Sequence, residues 1–596
     1  MKNIKLYTII IVLFVFYSCE SLLDTKYDNT FGDEYTWKLP EYATGMLMNA
    51  YNNISALPNS YGNDFLDVAT DNALTRVKTS TLSRFVANGI SSKNNPIGNW
   101  ENFYMQFQYI NIFLEKGFTG DILYSIADST RNETIKKRLL GEAYFLRAWW
   151  GMELLKVFGG ITEDGQALGY PIVTKFLNPA DNSTLINIPR NTYEECILQI
   201  MADCDSAYKY LPLVYTGTDV DTGSAQDGRA SGKAALALQS RAALFGASPA
   251  YQPQGEYALT VDSLEKKWKR VVVLSEKAIS SGSIGAYTAL TEIMYVGPTV
   301  QNITNAEFIF RKWSNNRTLE NQNFPPMFFG QGRTNPSQNL VDAYPLKNGF
   351  PITDTRSGYN PQNPYVNRDN RFELSIYYNG KIFNSDRPLE IYTQDNGVKG
   401  RDVAEYDYSN TITGYYLKKF LSPTKDMLYN PSTLTGSNAF HQYPLLRRAE
   451  VYYNLAEALN ELAGPKGNVS GSNRTAYDIL KDIRTKNGIA NTQYLDEVAT
   501  DQDNFMSLLL NERRIEFAFE NHRFFDLRRR LLPLNEPVRS VSINKISNGY
   551  EFYGTDPNDE GIVVELREFD EAKHYYMPIP YEETLKNPYL IQNKGW

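Results

Sequence analysis

The sequence predicts a mainly α protein, built of stacked helical hairpins of the tetratricopeptide type with a loop-rich subdomain of short strands inserted between them. Three observations predict it. Segments with apolar residues at i, i+3, i+4 and i+7 recur before residue 280 and again after residue 443. Between them, over about 281–442, Asn, Gly, Pro, Tyr and Thr dominate, relieved only by strand-like pieces such as EFIFRKW and ELSIYY. The helical segments are also rich in Ala and Gly, small enough for helices to approach closely and stack.

The chain opens with Lys2 and Lys5, then the apolar run Leu6–Tyr17, too short to span a bilayer as a helix and suited to a secretory leader. It ends Ser18-Cys19, which resembles a bacterial lipobox. The expectation is a lipoprotein signal peptide over 1–18, with Cys19 acylated as the new N-terminus and the chain hanging from an outer membrane. The alternative is ordinary cleavage beside an incidental cysteine. Asp24, Asp28, Asp33 and Glu34 make 19–40 an acidic tether, and 41–596 reads as a single domain.

Glu41–Ile54 is the first expected helix, with Met46, Leu47, Ala50 and Tyr51 on one face. Residues 55–99 form a long loop system rich in Asn, Ser, Thr and Gly, a kind of segment that usually carries function or is disordered. Helices follow at Trp100–Gly117 and Glu133–Phe158, the second closed by Gly159 and Gly160 and carrying Gly141, Ala143 and Ala148 where a neighbour must come close. Thr192 with Glu195 three residues on forms a capping box for a helix to Leu211. Gly228–Tyr251 and Leu264–Ile279 complete the first half. Gly228, Gly232 and Lys233 fall short of a phosphate-binding loop: the glycines are one residue too close, and Ala234 stands where Ser or Thr is needed. Helices resume at Tyr443–Leu462, at Ala476–Ile489 and from Phe505 onward. The Pro-paced end, from Tyr575, is expected to dock along the helices in extended form.

The densest stretch is Asn511–Arg530, NERRIEFAFENHRFFDLRRR, expected as one helix. Ile515, Ala518, Phe519, His522 and Phe525 share a face, and Phe517 and Phe524 extend apolar surface around the cylinder, so other helices must enclose it. Its arginines alternate with Glu512, Glu516, Glu520 and Asp526, which points to internal ion pairs rather than an anion site.

A formal net charge of −8 argues against nucleic acid, whose binding needs a basic surface. Three Cys give neither a disulfide framework nor metal-ligand spacing, and no metal or cofactor is expected. No catalytic constellation emerges. His441, expected to begin a helix, His522, on the packed face, and His574 are far apart in sequence, and HExxH, GxSxG and EF-hand patterns are missing.

WENFYMQFQYIN, GEAYFLRAWWGMELLKVFGG, GRASGKAALAL, RRAEVYYNLAEALNEL, DILKDIRTKNGI, NERRIEFAFENHRFFDLRRR and MPIPYEETLKNPYLIQNKGW occur in that order. Together with Ser18-Cys19 they resemble the SusD/RagB-like family of Bacteroidetes outer-membrane nutrient-binding lipoproteins, over essentially the whole mature chain. The resemblance implies a SusD-like fold and no catalytic activity. It also implies a surface lipoprotein that captures oligosaccharide or polysaccharide and delivers it to a SusC-like TonB-dependent transporter. The alternatives are a peptide-binding, RagB-like protein, a surface glycoside hydrolase or an adhesin.

A sugar offers an apolar ring face and a set of hydroxyls, so its site wants aromatic platforms beside amide, carboxylate or guanidinium groups. With 42 Tyr, 30 Phe and 7 Trp, the chain has rings to spare for that role beyond its core. Tyr61, Asp71, Asn72 and Arg76 in the first loop are candidates, with Trp313, Phe328, Phe329, Arg333 and Tyr344 in the second. Trp313, just after a strand-like run, is the leading one.

Overall fold

The computed structural model describes residues 37–119, 122–178, 188–282, 284–297, 305–384, 386–403, 410–422 and 437–596. Cys19, the leader 1–18 and most of the tether 19–40 lie outside them. The longer helices of the first half are α1 (Pro40–Asn52), α2 (Trp100–Lys116), α3 (Ser129–Phe158), α4 (Tyr193–Tyr210), α5 (Gly232–Ala247) and α6 (Val261–Ser280), and the loop system 55–99 holds a short one at Thr81–Val86. Strands β1 (Val296–Gly297), β2 (Phe308–Asn316) and β3 (Ala439–Arg447) come next. The second half holds α7 (Arg448–Ala463), α8 (Ala476–Lys486), α9 (Gln502–Glu516), α10 (Arg523–Arg529) and α11 (Tyr581–Lys586). Each helix from α1 to α7 packs on the next, so α6 and α7 are neighbours although the whole inserted subdomain separates them in sequence.

Local chemistry explains most boundaries. The Thr192–Glu195 capping box forms in full at the start of α4, and Ser231 caps α5 directly after the glycine-punctuated turn. A Cβ on Gly141 would sit 2.6 Å from Leu211 Cγ, which is why α3 carries glycine where the end of α4 crosses it. Gly159 ends α3 with extended backbone, φ −68° and ψ 143°, rather than in the left-handed region. It is glycine for space: a Cβ there would meet the Tyr193 ring at 2.6 Å.

Three expected boundaries are corrected. Tyr443 and His441 do not open a helix; both lie in β3, the centre of the antiparallel sheet β1–β3–β2, with His441 opposite Ser314. Pro444, which disfavours helical backbone at Tyr443, sits next to a register shift in the ladder. Helix α7 begins only at Arg448, where the Glu307 carboxylate accepts the Ala449 N–H at 2.8 Å. ELSIYY is not a strand: Asn370–Ser375 is helical, capped by Asp369, and only Ile376–Tyr377 pairs, with Tyr416–Leu417.

The third correction is the stretch Asn511–Arg530. It is two helices, α9 and α10, broken at Phe517–His522. Phe519 (φ 62°) and Asn521 (φ 64°) adopt left-handed backbone there. The buried Asp67 carboxylate, from the first loop, accepts the Phe519 N–H at 3.0 Å and the Asn521 N–H at 3.4 Å. Asn521 in turn accepts the Leu66 N–H at 2.7 Å. The ion pairing is internal, as its composition implies. Glu512 holds Arg371 and Arg484; Glu516 and Glu520 hold Arg447; Asp71 holds Arg514 and Arg523; Arg529 bridges Glu457 and Asp526. Arg528 is the exception, lying 3.5 Å above the Phe524 ring. At the far end Asn593 donates to Phe158 O at 2.9 Å, docking the C-terminal segment on the end of α3, although this segment is not extended throughout, since Tyr581–Lys586 is helical.

Candidate functional site

A cavity of about 810 Å³ opens where seven parts of the chain converge. The end of α1 and the turn after it bring Asn53 and Tyr61; the first turn of α2 brings Trp100 and Phe103. Helix α3 adds Trp149, Glu153 and Lys156, α5 adds Arg241, and β3 with the start of α7 adds Tyr443 and Glu450. The end of α9 adds Arg513, the break after it adds Glu520, Asn521 and His522, and the start of α11 brings Glu582 and Glu583 to the mouth.

Its inner wall is made of ion pairs. Arg241 clamps Glu450 through both Nε and Nη2, each at 2.6 Å. Lys156 meets Glu153 at 2.7 Å, and Arg513 meets Asp526 at 3.0 Å. Burial works against each ion, but for Arg241 the Glu450 carboxylate outweighs it and raises the guanidinium pKa above its ordinary range. For Lys156 burial wins and lowers the ammonium pKa despite Glu153. His522 stacks on Phe517, ring centres 4.4 Å apart. Burial and then the cations Arg513, Arg241, Lys156 and Arg447 push its pKa well below 6.5, so the ring is neutral. Asn521 donates to Tyr443 Oη at 3.1 Å and shapes the floor. Such a wall presents hydroxyl-matching donors and acceptors next to the ring surfaces of Tyr61, Phe103 and Tyr443.

Of the residues expected to bind ligand, Tyr61 lines this cavity. Trp313 is half-exposed, at 51%, on the sheet face it shares with Phe440, their ring centres 6.0 Å apart. Gln442, opposite Trp313, is buried, and neither its amide oxygen nor its amide nitrogen has a hydrogen-bond partner among the described residues. Phe329 projects from left-handed backbone (φ 63°) and is equally exposed. The others sit within the fold. Asp71 is buried between Arg514 and Arg523; burial alone would raise its pKa, but the two guanidinium groups hold it well below the carboxylate range. Asn72 joins Asp67 to Arg514, and Arg333 ties Asp64 to Gly62 O. Tyr344 packs edge-on to Phe372, and Phe328 lies on Phe383. Arg76, half-buried, donates its backbone N–H to Arg333 O. Glu153, Lys156, Arg241, Glu450 and His522 were not singled out as ligand-binding by sequence; only their gathering around one void marks them.

Among the described residues no group of three or more His, Cys, Asp or Glu side chains is placed to hold a metal. His441 instead meets Glu320 at 2.9 Å in the core. No helix among them is long and apolar enough to cross a membrane. The thiols of Cys196 and Cys204 are buried, that of Cys196 pushed up to about 12.

A stacked-hairpin scaffold with an inserted strand-bearing subdomain and small separate sheets defines a mainly α protein of SusD-like fold. Two family models match it: "SusD family" over residues 306–596, and "Starch-binding associating with outer membrane" over 21–244. The chain belongs to the SusD/RagB-like family. A SusD-like protein of Formosa agariphila is 22% identical over 560 residues, covering 91% of this chain and 95% of that one. A solved SusD-like protein of Bacteroides fragilis superposes with a TM-score of 0.68 at 23% identity, over 95% of this chain and 99% of that one. A second from the same species, described as a SusD-like carbohydrate binding protein, does so with a TM-score of 0.65 at 21% identity, over 93% and 99%.

Proposed function

We propose that the protein is a non-catalytic glycan-binding lipoprotein that captures oligosaccharide or polysaccharide and passes it to a SusC-like TonB-dependent transporter. The observation that carries the binding reading is the 810 Å³ cavity, whose ring surfaces and engaged polar side chains are the combination a saccharide needs. The description of a solved relative as carbohydrate binding supports it, and the family description "associating with outer membrane" supports the location. In this reading residues 1–18 are the leader, Cys19 carries the lipid, 19–40 form the tether and 41–596 the binding domain. Trp313, with Phe440 beside it and Gln442 across the ladder, forms a second, outer platform for the same chain of sugars, and Phe329 is a further exposed ring of the same subdomain.

Calorimetry of the soluble chain beginning after Cys19, against a panel of polysaccharides and peptides, tests the class of ligand. Tyr61→Ala should cost about 2 kcal/mol of binding, roughly thirtyfold in Kd, if its ring carries the sugar. Trp313→Ala reads the outer platform in the same way, and an unchanged affinity removes that residue from the site. Cys19→Ala should abolish acylation, and undiminished partitioning into membranes would refute the anchor. Copurification with a large β-barrel protein tests the transporter partnership.

A further inference from the structure

We propose that the cavity selects uncharged, hydroxyl-rich saccharides and rejects sulfated or uronate-bearing chains, an inference that rests on reading the cavity as the glycan site. The charges around the cavity carry it. Each cation of the inner wall already has its own carboxylate: Arg241 has Glu450, Lys156 has Glu153 and Arg513 has Asp526. At the mouth Lys586 is paired with Glu583 at 2.8 Å. Lys93, exposed, rests 4.5 Å over the Tyr581 ring.

The acids are distributed differently. Glu520 meets Lys419 and Arg447 behind the wall, both at 2.7 Å and both through Oε1, while its Oε2 has no hydrogen-bond partner among the described residues. Glu101 and Glu582 are exposed at the mouth with no ion pair among the described residues. A sulfate or carboxylate entering the cavity therefore passes Glu101 and Glu582, against which the mouth sets Lys93 as its one cation without a carboxylate among the described residues. Inside it finds no guanidinium without a carboxylate, and must displace a buried acid that would then be left uncompensated. A hydroxyl carries no such requirement. It accepts from the remaining N–H groups of Arg241 or donates to a carboxylate lone pair or to the neutral His522 ring, leaving every ion pair in place.

The test is calorimetry of the soluble chain after Cys19 at about 50 and 500 mM NaCl, where screening separates charge attraction from neutral recognition. The neutral probes are laminarin, malto-oligosaccharides and β-mannan oligosaccharides; the anionic ones are polygalacturonate, alginate and carrageenan oligosaccharides. The expected result is a neutral binder whose Kd changes less than about twofold with salt, and anionic affinities at least about tenfold weaker. The Glu101→Lys/Glu582→Lys double variant, changed at two exposed positions, should gain at least about tenfold for the anionic set at low salt. An anionic oligosaccharide that binds as tightly as the best neutral one, with affinity falling about tenfold as salt rises, overturns the selectivity and leaves the glycan reading standing. Binding by neither set at either salt overturns the glycan reading itself.

Discussion

Arg447 shows how charge is carried in the interior of this protein. Its guanidinium is buried and reaches Glu516, Glu520 and Glu307 while covering the Phe517 ring at 4.8 Å. A pair of this kind adds little net stability when intact, but removing one partner strands the other in low dielectric. Arg447→Met should therefore cost about 3–5 kcal/mol in urea denaturation, well beyond the loss of a surface pair, because Glu307 loses its ion-pair partner and Glu516 and Glu520 are left to Arg371 and Lys419 alone. The interleaved Arg and Glu of this stretch were readable as internal ties because charges so dense among rings must be paired. Which acid meets which base was not readable, since Arg371, Lys419, Arg447 and Arg484 come from other parts of the chain.

At the scale of the element, the break between α9 and α10 is the feature that shapes the cavity floor. Nothing in the local sequence requires it, for FAFENHRFF has no proline or glycine. It exists because Asp67, Leu66 and Pro58 of the first loop offer partners to Phe519 and Asn521 that a continuous helix would deny them. Asn521→Ala should lose the side-chain bonds to Leu66, Pro58 and Tyr443 and strain the left-handed backbone. Asn521→Gly loses the bonds alone, so the glycine variant should be the more stable of the two by about 1–2 kcal/mol, read as the difference in denaturation midpoints. The β3–α7 junction follows the same logic with a local clue. Pro444 marks the place where helical backbone is disfavoured, and Glu307 from the neighbouring strand end supplies the cap.

For the whole molecule, buried histidines set one side of the pH response. Burial, then Lys573 and Arg528, hold the His574 pKa down to about 4 from 6.5. Between those values the unfolded chain binds a proton that the folded chain refuses, so this contribution to stability is lost as pH falls from about 6.5 towards 4. Glu307 acts with the opposite sign. Burial, opposed by Arg447, pushes it up to about 7, so its cost is relieved over much of the same fall in pH. His574→Asn keeps an acceptor for the Asp570 N–H and removes the titrating ring. The midpoint of urea denaturation should then drop less between pH 7 and 5 in the variant than in the parent chain.

By itself the sequence determined the class of fold, the order of the helices and most of their ends. Apolar periodicity, the Thr192–Glu195 box and the placement of small residues act over one or two turns and can be read along the chain. The tertiary structure alone decided where the cavity lies and what lines it. Tyr61, Glu153, Arg241, Glu450 and His522 are spread over hundreds of residues, and their side chains meet only because the hairpins stack and α9 breaks. It also decided which rings remain outside: Trp313 and Phe329 half in solvent, Tyr344 and Phe328 in the core. Burial is settled by which distant surfaces pack together, and a residue's local neighbours carry almost no record of that.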